Sequence, residues 1–151
     1  MSNRTFTIIK PNAVAAGNTG KILAQIIADG FRIRAMKMVF LDRNRAERFY
    51  AVHKGKPFFP RLVMFMTSGP IVVAIVEKQN AVAELRRLVG ATDPAKAEEG
   101  TIRRLYADSM SRNAIHASDS DENAAIEWSQ FFSVDEIMEA DYFLPLPESE
   151  C

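Results

Sequence analysis

Residues 70–76, Pro70-Ile71-Val72-Val73-Ala74-Ile75-Val76, limit the folds open to this chain more than any other stretch. The run is continuously apolar and largely β-branched. It predicts a strand buried on both faces, with other elements covering each side of its sheet. A second strand is expected at Arg4–Ile9, where residues alternate among β-formers until Lys10-Pro11-Asn12 ends them. A third is expected over Phe31–Leu41, which opens on the alternation Phe31/Arg32/Ile33/Arg34, and a last one over Asn113–His116. Helical patterns lie between them. Thr19 is placed as the cap of a helix with Ile22, Leu23, Ile26 and Ile27 on one stripe, closed by Gly30. Asp42 opens a helix to about Val52 with Ala46, Phe49 and Tyr50 on one face, and Leu62–Thr67 reads as a short helix. Asn80 is placed as the cap of a helix in which Val82, Leu85, Leu88 and Val89 recur, and Asp121–Phe132 as an amphipathic helix on Ala124, Ala125, Trp128, Phe131 and Phe132. Lys54–Pro60 reads as a loop, and Gly90–Arg112 as a long, mostly irregular segment of the kind that is usually functional.

The order β-α-β, further helices, β-α-β is the split ferredoxin-like arrangement βαββαβ. It predicts an α+β fold with a four-stranded antiparallel sheet flanked by helices. The 151 residues are expected to form a single domain, with 133–151, holding Pro145 and Pro147, as a C-terminal tail without regular structure. A chain of this length buries roughly 68–70% of its unfolded surface and needs no metal or disulfide to fold. Nineteen basic and nineteen acidic residues cancel, so no net field draws the protein to nucleic acid or an anionic membrane. The one cysteine is Cys151, which forms no internal disulfide and fits a cytoplasmic location. No apolar run approaches the roughly 20 residues of a membrane span, and Met1–Lys10 lacks the apolar core of a signal peptide. Two histidines and a terminal cysteine argue against a zinc site.

The chemistry concentrates at Asn113-Ala114-Ile115-His116-Ala117-Ser118-Asp119-Ser120, where a histidine ends a short apolar run and helix-capping residues follow. Near neutral pH an imidazole keeps a nitrogen lone pair and can take up a group and pass it on. Ser118 and Asp119 read as the start of the next helix, and Glu127 is spaced to reach back and orient the ring. From this octamer alone, a histidine merely buried and hydrogen-bonded at a strand end is an equal reading. Arg86, Thr92 and Arg103 in and around the long loop, with Lys10 after the first strand, supply phosphate-binding chemistry: guanidinium forks, a hydroxyl and a point charge. Each alone could be a solvated surface residue. Of Phe58-Phe59, at least one ring is expected to cover the core, while an exposed one could stack on a base. Tyr50 could donate to a phosphate or be core with its hydroxyl at the rim, and His53 reads as a rim residue. Neither a Walker A sequence nor G-x-G-x-x-G is present.

Across roughly residues 4 to 134 the chain resembles the nucleoside diphosphate kinases. The blocks that carry the resemblance are Thr7-Ile8-Ile9-Lys10-Pro11, Phe49-Tyr50-Ala51-Val52-His53, Lys56-Pro57-Phe58-Phe59, Ser68-Gly69-Pro70, Gly90-Ala91-Thr92-Asp93-Pro94, Gly100-Thr101-Ile102-Arg103 and Asn113-Ala114-Ile115-His116. The resemblance implies ping-pong transfer of a γ-phosphate from a nucleoside triphosphate to a diphosphate. Magnesium would ride on the nucleotide phosphates, with no ligand from protein side chains. It implies that His116 is phosphorylated, that Glu127 and Ser118 orient it, and that Lys10 and Asn113 contact the ribose 3′-hydroxyl. It also implies phosphate contacts from Arg86, Thr92 and Arg103, Tyr50 near the transferred phosphate, and Phe58 stacking on the base with Met110 on its other face.

The family pattern has glycine directly after the histidine, where this chain has Ala117. A catalytically weakened member acting as a nucleotide-binding or interaction module is therefore an alternative reading. A negative φ is expected at Ala117, because it follows directly from an extended strand. The resemblance further implies a homo-oligomer, hexamer or tetramer with the hexamer favoured, and Tyr142, Phe143 and Leu144 of the tail could dock on a neighbour.

Overall fold

The computed structural model describes residues 2–141 and 145–150. Four strands form one antiparallel sheet in the order β2-β3-β1-β4: β1 (Arg4–Ile9), β2 (Arg32–Val39), β3 (Ile71–Glu77) and β4 (Ile115–Ala117). The two β-α-β units interleave, because β1 to β2 passes over β3 and β3 to β4 passes over β1. This is the ferredoxin-like α+β arrangement that the element order predicts. Seven α-helices flank the sheet among the described residues: α1 (Pro11–Ala15), α2 (Thr19–Ala28), α3 (Arg43–Phe49), α4 (Phe59–Met66), α5 (Ala81–Val89), α6 (Ile102–Tyr106) and α7 (Asp121–Ser129).

β3 is covered on both sides, as its sequence demands. Val72, Ala74 and Val76 point into a core with Ile22 and Ile26 of α2 and Leu85 and Leu88 of α5. Ile71, Val73 and Ile75 point into a second core with Phe6, Phe49, Val63, Met66, Phe131 and Phe132. The strand's alternate side chains thus hold two helical layers to one sheet. Each fully buried large side chain contributes about 1.5–3 kcal/mol to that attachment.

Several local expectations shift. Thr19 is the first residue of α2, and the cap position belongs to Asn18, without a side-chain bond. Asn80 stands at the cap of α5 in the left-handed conformation (φ 57), again without a side-chain bond. Asp42 does cap α3, accepting from Arg45 N at 2.8 Å. That helix ends at Phe49 and a 3-10 turn, Ala51–His53, completes it. Pro60 belongs to the first turn of α4 and not to a loop, since a helix start has no use for the missing N–H. β4 begins at Ile115, two residues later than expected, and α7 ends at Ser129, leaving Ala125 exposed while Phe131 and Phe132 are buried. Ser120 caps α7, so Ser118 and Asp119 precede the helix. The long segment after Gly90 contains α6, and the tail contains 3-10 turns at Val134–Glu136 and Glu148–Glu150.

Residues 136–141 run back along β2. Lys37 Nζ meets Glu136 at 2.7 Å, Met138 N donates to Arg34 O at 2.7 Å, and Arg34 and Arg32 meet Asp141 at 2.8 and 3.4 Å. A β-bulge between Ile33 and Ala35 takes Arg34 out of the ladder and frees its carbonyl for that bond. Tyr142, Phe143 and Leu144, expected to reach a neighbour, lie outside the described residues.

Candidate active site

β1 ends beside the start of β4, with Ile9 opposite Ile115, and the candidate residues gather around this strand pair. Lys10, the residue after β1, is buried. Its N–H donates to Ala114 O at 2.8 Å and its Nζ to Asn113 Oδ1 at 2.8 Å. The Asn113 amide in turn donates to Met110 O at 3.1 Å. Between Asn113 and β4 the chain makes a tight turn: Ala114 has φ 74 and Ile115 N donates to Asn113 O at 2.9 Å. That is a γ-turn with a left-handed centre, a strained form costing an alanine roughly 1–2 kcal/mol. The strain therefore sits two residues before His116. Ala117 is a β4 residue whose φ lies outside the left-handed region, as expected of a residue leaving an extended strand.

His116 is one-fifth exposed. Its ring packs edge-on against Phe49 at 5.6 Å and tilted against Phe6 at 6.2 Å. Its Nε2 lies 2.7 Å from Glu127 Oε1, on α7, and the buried Ser118 hydroxyl donates to the same oxygen at 2.6 Å. An ionised carboxylate only accepts, so the Nε2 position carries the proton and Nδ1 keeps the lone pair. Tyr50 is buried with no hydrogen-bond partner for its hydroxyl among the described residues. Burial, reinforced by the Glu127 charge, raises its pKa and keeps it a neutral donor.

The two arginines take positions that their residue type does not announce. β4 is an edge strand, and its carbonyls at 115 and 117 point away from β1. Arg103 Nη2 donates to Ile115 O at 2.9 Å and its Nη1 to Gly90 O at 3.1 Å, while Arg86 Nη1 donates to Ala117 O at 3.3 Å. Arg103 Nε is buried and has no partner among the described residues. Gly90 permits this arrangement. It ends α5 at φ 88, and a Cβ there would stand 2.6 Å from Thr101 Oγ1. The close approach brings the end of α5, with Arg86, against the start of α6, with Arg103.

Lys10, Arg86 and Arg103 have no carboxylate partner among the described residues. Burial lowers the Lys10 pKa to about 7, with the Arg103 charge adding to it. Burial, with the Arg86 charge, brings Arg103 down to about 10. A buried lysine and a half-buried arginine without counter-ions leave a local demand for an anion.

Two concavities open here. A cleft of about 1010 Å³ is lined by Lys10, Phe58, Thr92, Met110 and Asn113. A second, of about 390 Å³, is lined by Arg86, Thr92, Arg103 and Ala117. Thr92 borders both. His116, Glu127, Ser118 and Tyr50 line neither, so the expected site residues fall into three neighbouring groups joined through β4. Phe58 is exposed and Phe59 packs against the core, which divides that pair as anticipated. Arg61, Leu62 and Phe65 also line the larger cleft. Their spacing from Phe58, at i+3, i+4 and i+7, was the signal that one face of α4 forms its wall. His53 stacks beside Tyr50 at 6.4 Å and near Phe58 at 5.3 Å, on the rim.

A fold with a split βαβ sheet, one buried and two further cations without a carboxylate partner among the described residues, and a histidine beside a carboxylate defines an anion-handling class of protein. Comparison with known proteins is specific. The nucleoside diphosphate kinase family model matches residues 3–137. A nucleoside diphosphate kinase of Phenylobacterium zucineum is 54% identical over 138 residues, covering 91% of this chain and 99% of that protein. One of Bradyrhizobium diazoefficiens is 56% identical over 135 residues, covering 89% and 96%. Among solved structures, the Aquifex aeolicus nucleoside diphosphate kinase superposes with a TM-score of 0.89 at 42% identity, over 91% of this chain and 100% of that one. A Halobacterium salinarum nucleoside diphosphate kinase in complex with CDP gives 0.89 at 36% identity, over 94% and 95%. The chain belongs to the nucleoside diphosphate kinase family.

Proposed function

We propose that this protein moves the γ-phosphate of a nucleoside triphosphate to a nucleoside diphosphate in two half-reactions through a phosphohistidine at His116. The observation that carries the reading is the Glu127 contact at Nε2, which leaves Nδ1 as the nucleophile. In the first half-reaction the Nδ1 lone pair forms a bond to the γ-phosphorus. The bond from that phosphorus to the bridging oxygen breaks, and the oxygen leaves on the diphosphate with the electron pair. The ring becomes a phosphoimidazolium whose Nε2–H stays on Glu127, and Ser118 holds that carboxylate in place. In the second half-reaction a terminal oxygen of the acceptor diphosphate attacks the phosphorus and the P–N electron pair returns to the ring. No proton is gained or lost over the cycle.

Phosphoryl transfer asks a protein mainly for in-line positioning and charge neutralisation. Arg86, Arg103 and Thr92 are assigned to the phosphates, the unpartnered Nε of Arg103 being a ready donor. Lys10 and Asn113, already bonded to each other, are assigned to the ribose 3′-hydroxyl, and the Tyr50 hydroxyl to the transferred group. Phe58 and Met110, both exposed on the larger cleft, are assigned to the two faces of the base. A stacking platform reads any base, so broad base tolerance is expected. The side chains assigned to the phosphates are cationic or neutral, and suit a magnesium ion that arrives on the nucleotide's own oxygens. When bound, that ion neutralises phosphate charge. The alternative of a weakened binding module rested on Ala117, and with that residue outside the left-handed region no observation favours it.

The same reading makes the chain one domain with a C-terminal tail, located in the cytoplasm with its nucleotide substrates. It also makes it a homo-oligomer. Met36 and Met38 of β2 and Phe40 just after it stand 50, 62 and 63% exposed, an apolar face that a second copy would cover. A monomer mass by light scattering at micromolar concentration overturns the assembly. For the reaction, incubation with γ-labelled ATP is expected to leave acid-labile phosphate on His116 that dTDP removes. A stable label, or label on His53, overturns the mechanism.

A further inference from the structure

The carbonyls of all three β4 residues accept a side-chain hydrogen bond: Ile115 O from Arg103, Ala117 O from Arg86, and His116 O from the Thr7 hydroxyl at 2.7 Å. The first two donors are the guanidiniums assigned to phosphate. Thr7 differs from them. It lies in the middle of β1, is completely buried, and lines neither concavity.

We infer that Thr7 is a positioning residue, holding His116 in its attacking geometry through the backbone. The inference rests on His116 being the nucleophile. β4 has three residues and one neighbouring strand, and it follows directly on the strained turn at Ala114. Such a strand is weakly determined by its ladder alone. Lys10 N donates to Ala114 O and Ser118 N to Phe6 O, so antiparallel alternation makes Ile8 and His116 the hydrogen-bonded pair between them. The His116 carbonyl thus accepts Ile8 N–H on one lone pair and the Thr7 hydroxyl on the other.

Thr7 pairs with Ala117 across the ladder, so it lies on the sheet face opposite the imidazole. It reaches the nucleophile only through the peptide, and no bound nucleotide can recruit it away. Thr5, two residues back on the same face, makes the contrast. It is equally buried, yet its hydroxyl has no partner among the described residues. Nothing about this face supplies a threonine with an acceptor by default. The chemical step requires attack distances near 3–3.5 Å, where a shift of about 1 Å can cost about 100-fold in rate.

The test compares Thr7→Val, which keeps the shape and deletes the hydroxyl, with Thr7→Ser, which keeps the hydroxyl. Single-turnover phosphorylation of His116 by ATP, the KM for ATP and the melting temperature are measured for both. Thr7→Val is expected to slow phosphorylation roughly tenfold with KM nearly unchanged, and Thr7→Ser to retain the wild-type rate. A purely structural role would lower the melting temperature and leave the single-turnover rate of the folded fraction alone. A wild-type rate in Thr7→Val overturns the inference, as does equal slowing in both variants, which would make packing the cause. If Thr7→Val proves too unstable to assay, Thr7→Ala makes the same deletion, and a wild-type rate there overturns the inference. Absence of label on His116 in the wild-type protein overturns the underlying reading instead, and this inference falls with it.

Discussion

The two edges of the sheet handle the same problem in opposite ways. Each exposes backbone groups and each recruits basic side chains. On the β2 edge every such cation is answered: Arg32, Arg34 and Lys37 meet Glu77, Asp141 and Glu136 at 2.7 to 3.4 Å. On the β4 edge Arg86 and Arg103 satisfy carbonyls and Lys10 satisfies an amide, so hydrogen bonds are met while charge is not. A guanidinium bonded to a neutral carbonyl keeps its full charge for a second partner. The difference teaches that an edge can be blocked against strand addition and still serve as an anion site, provided neutral acceptors do the blocking. On the proposed function, the paired edge serves stability and the unpaired edge binding.

The sharpest way to break this division is at the nucleophile. His116→Ala is expected to abolish phosphate transfer while the melting temperature stays within a few degrees, because Ser118 still donates to Glu127 when the ring is gone. Residual turnover near the wild-type level, or phosphate on His53, would break it.

Next in size are the arginines. Arg103→Ala and Arg86→Ala should each lower kcat/KM by about 10- to 150-fold, from the roughly 1.5–3 kcal/mol of a charged hydrogen bond. Both should also speed amide exchange at Ile115–Ala117. Arg34→Ala, on the other edge, should lower the melting temperature by several degrees with kcat/KM nearly intact. If Arg34→Ala costs as much activity as Arg103→Ala, the edges do not divide the work.

Acid and base should separate the edges again. Burial pushes the Glu77 carboxyl up, but Arg4 and Arg34 hold it below its usual range overall. Its contribution to stability is therefore present at neutral pH and lost as pH falls through its depressed pKa, so acid should weaken the ties of Arg34 and Arg4 to β3. Lys10 runs the other way. With its pKa lowered to about 7 in the fold, the unfolded chain holds more protons between about 7 and the ordinary lysine value of 10.5, and stability from this group rises with pH across that window. On the proposed function an anionic nucleotide binds beside Lys10, which sits at its ribose 3′-hydroxyl, and its charge favours the charged form of Lys10. Nucleotide affinity should then fall by up to about tenfold per pH unit above 7, with proton uptake on binding seen by calorimetry in buffers of different ionisation enthalpy. A Lys10→Met variant that keeps the same pH slope would reject this assignment.

The smallest effect is expected at Ala117→Gly. In an extended strand, glycine should destabilise by about 0.4–1 kcal/mol with turnover unchanged. A gain in both stability and turnover would mean that the backbone after His116 is strained after all.

The sheet was largely legible in advance because its signals are local. The apolar run of β3 and the alternation of β1 specify strands wherever they occur, and β1 was bounded to the residue. The two five-residue helices α1 and α6 were not legible, since so short a helix is fixed by packing and not by its own periodicity. β4 was placed two residues early because the turn before it is built on Ala114, a residue type that disfavours the left-handed conformation it adopts. At the site, His116 and Glu127 could be paired from their spacing alone. That Arg86 and Arg103 would spend their forks on β4 carbonyls could not be read, because such bonds depend on which strand lies at the edge. The Thr7 bond was illegible for the same reason.

Gly90 carries a consequence for how this gene can drift. Its φ of 88 and ψ of −179 lie in a region essentially closed to residues with a Cβ. The Thr101 side chain separately fills the space where a Cβ would stand. Shrinking Thr101 removes the second obstacle and leaves the first, so no single compensating change rescues a substitution at 90. Every non-silent single-base change of a glycine codon introduces a Cβ or a stop. This position therefore has no tolerated missense neighbour, and the spacing between the guanidiniums of Arg86 and Arg103 is guarded by the genetic code as well as by packing.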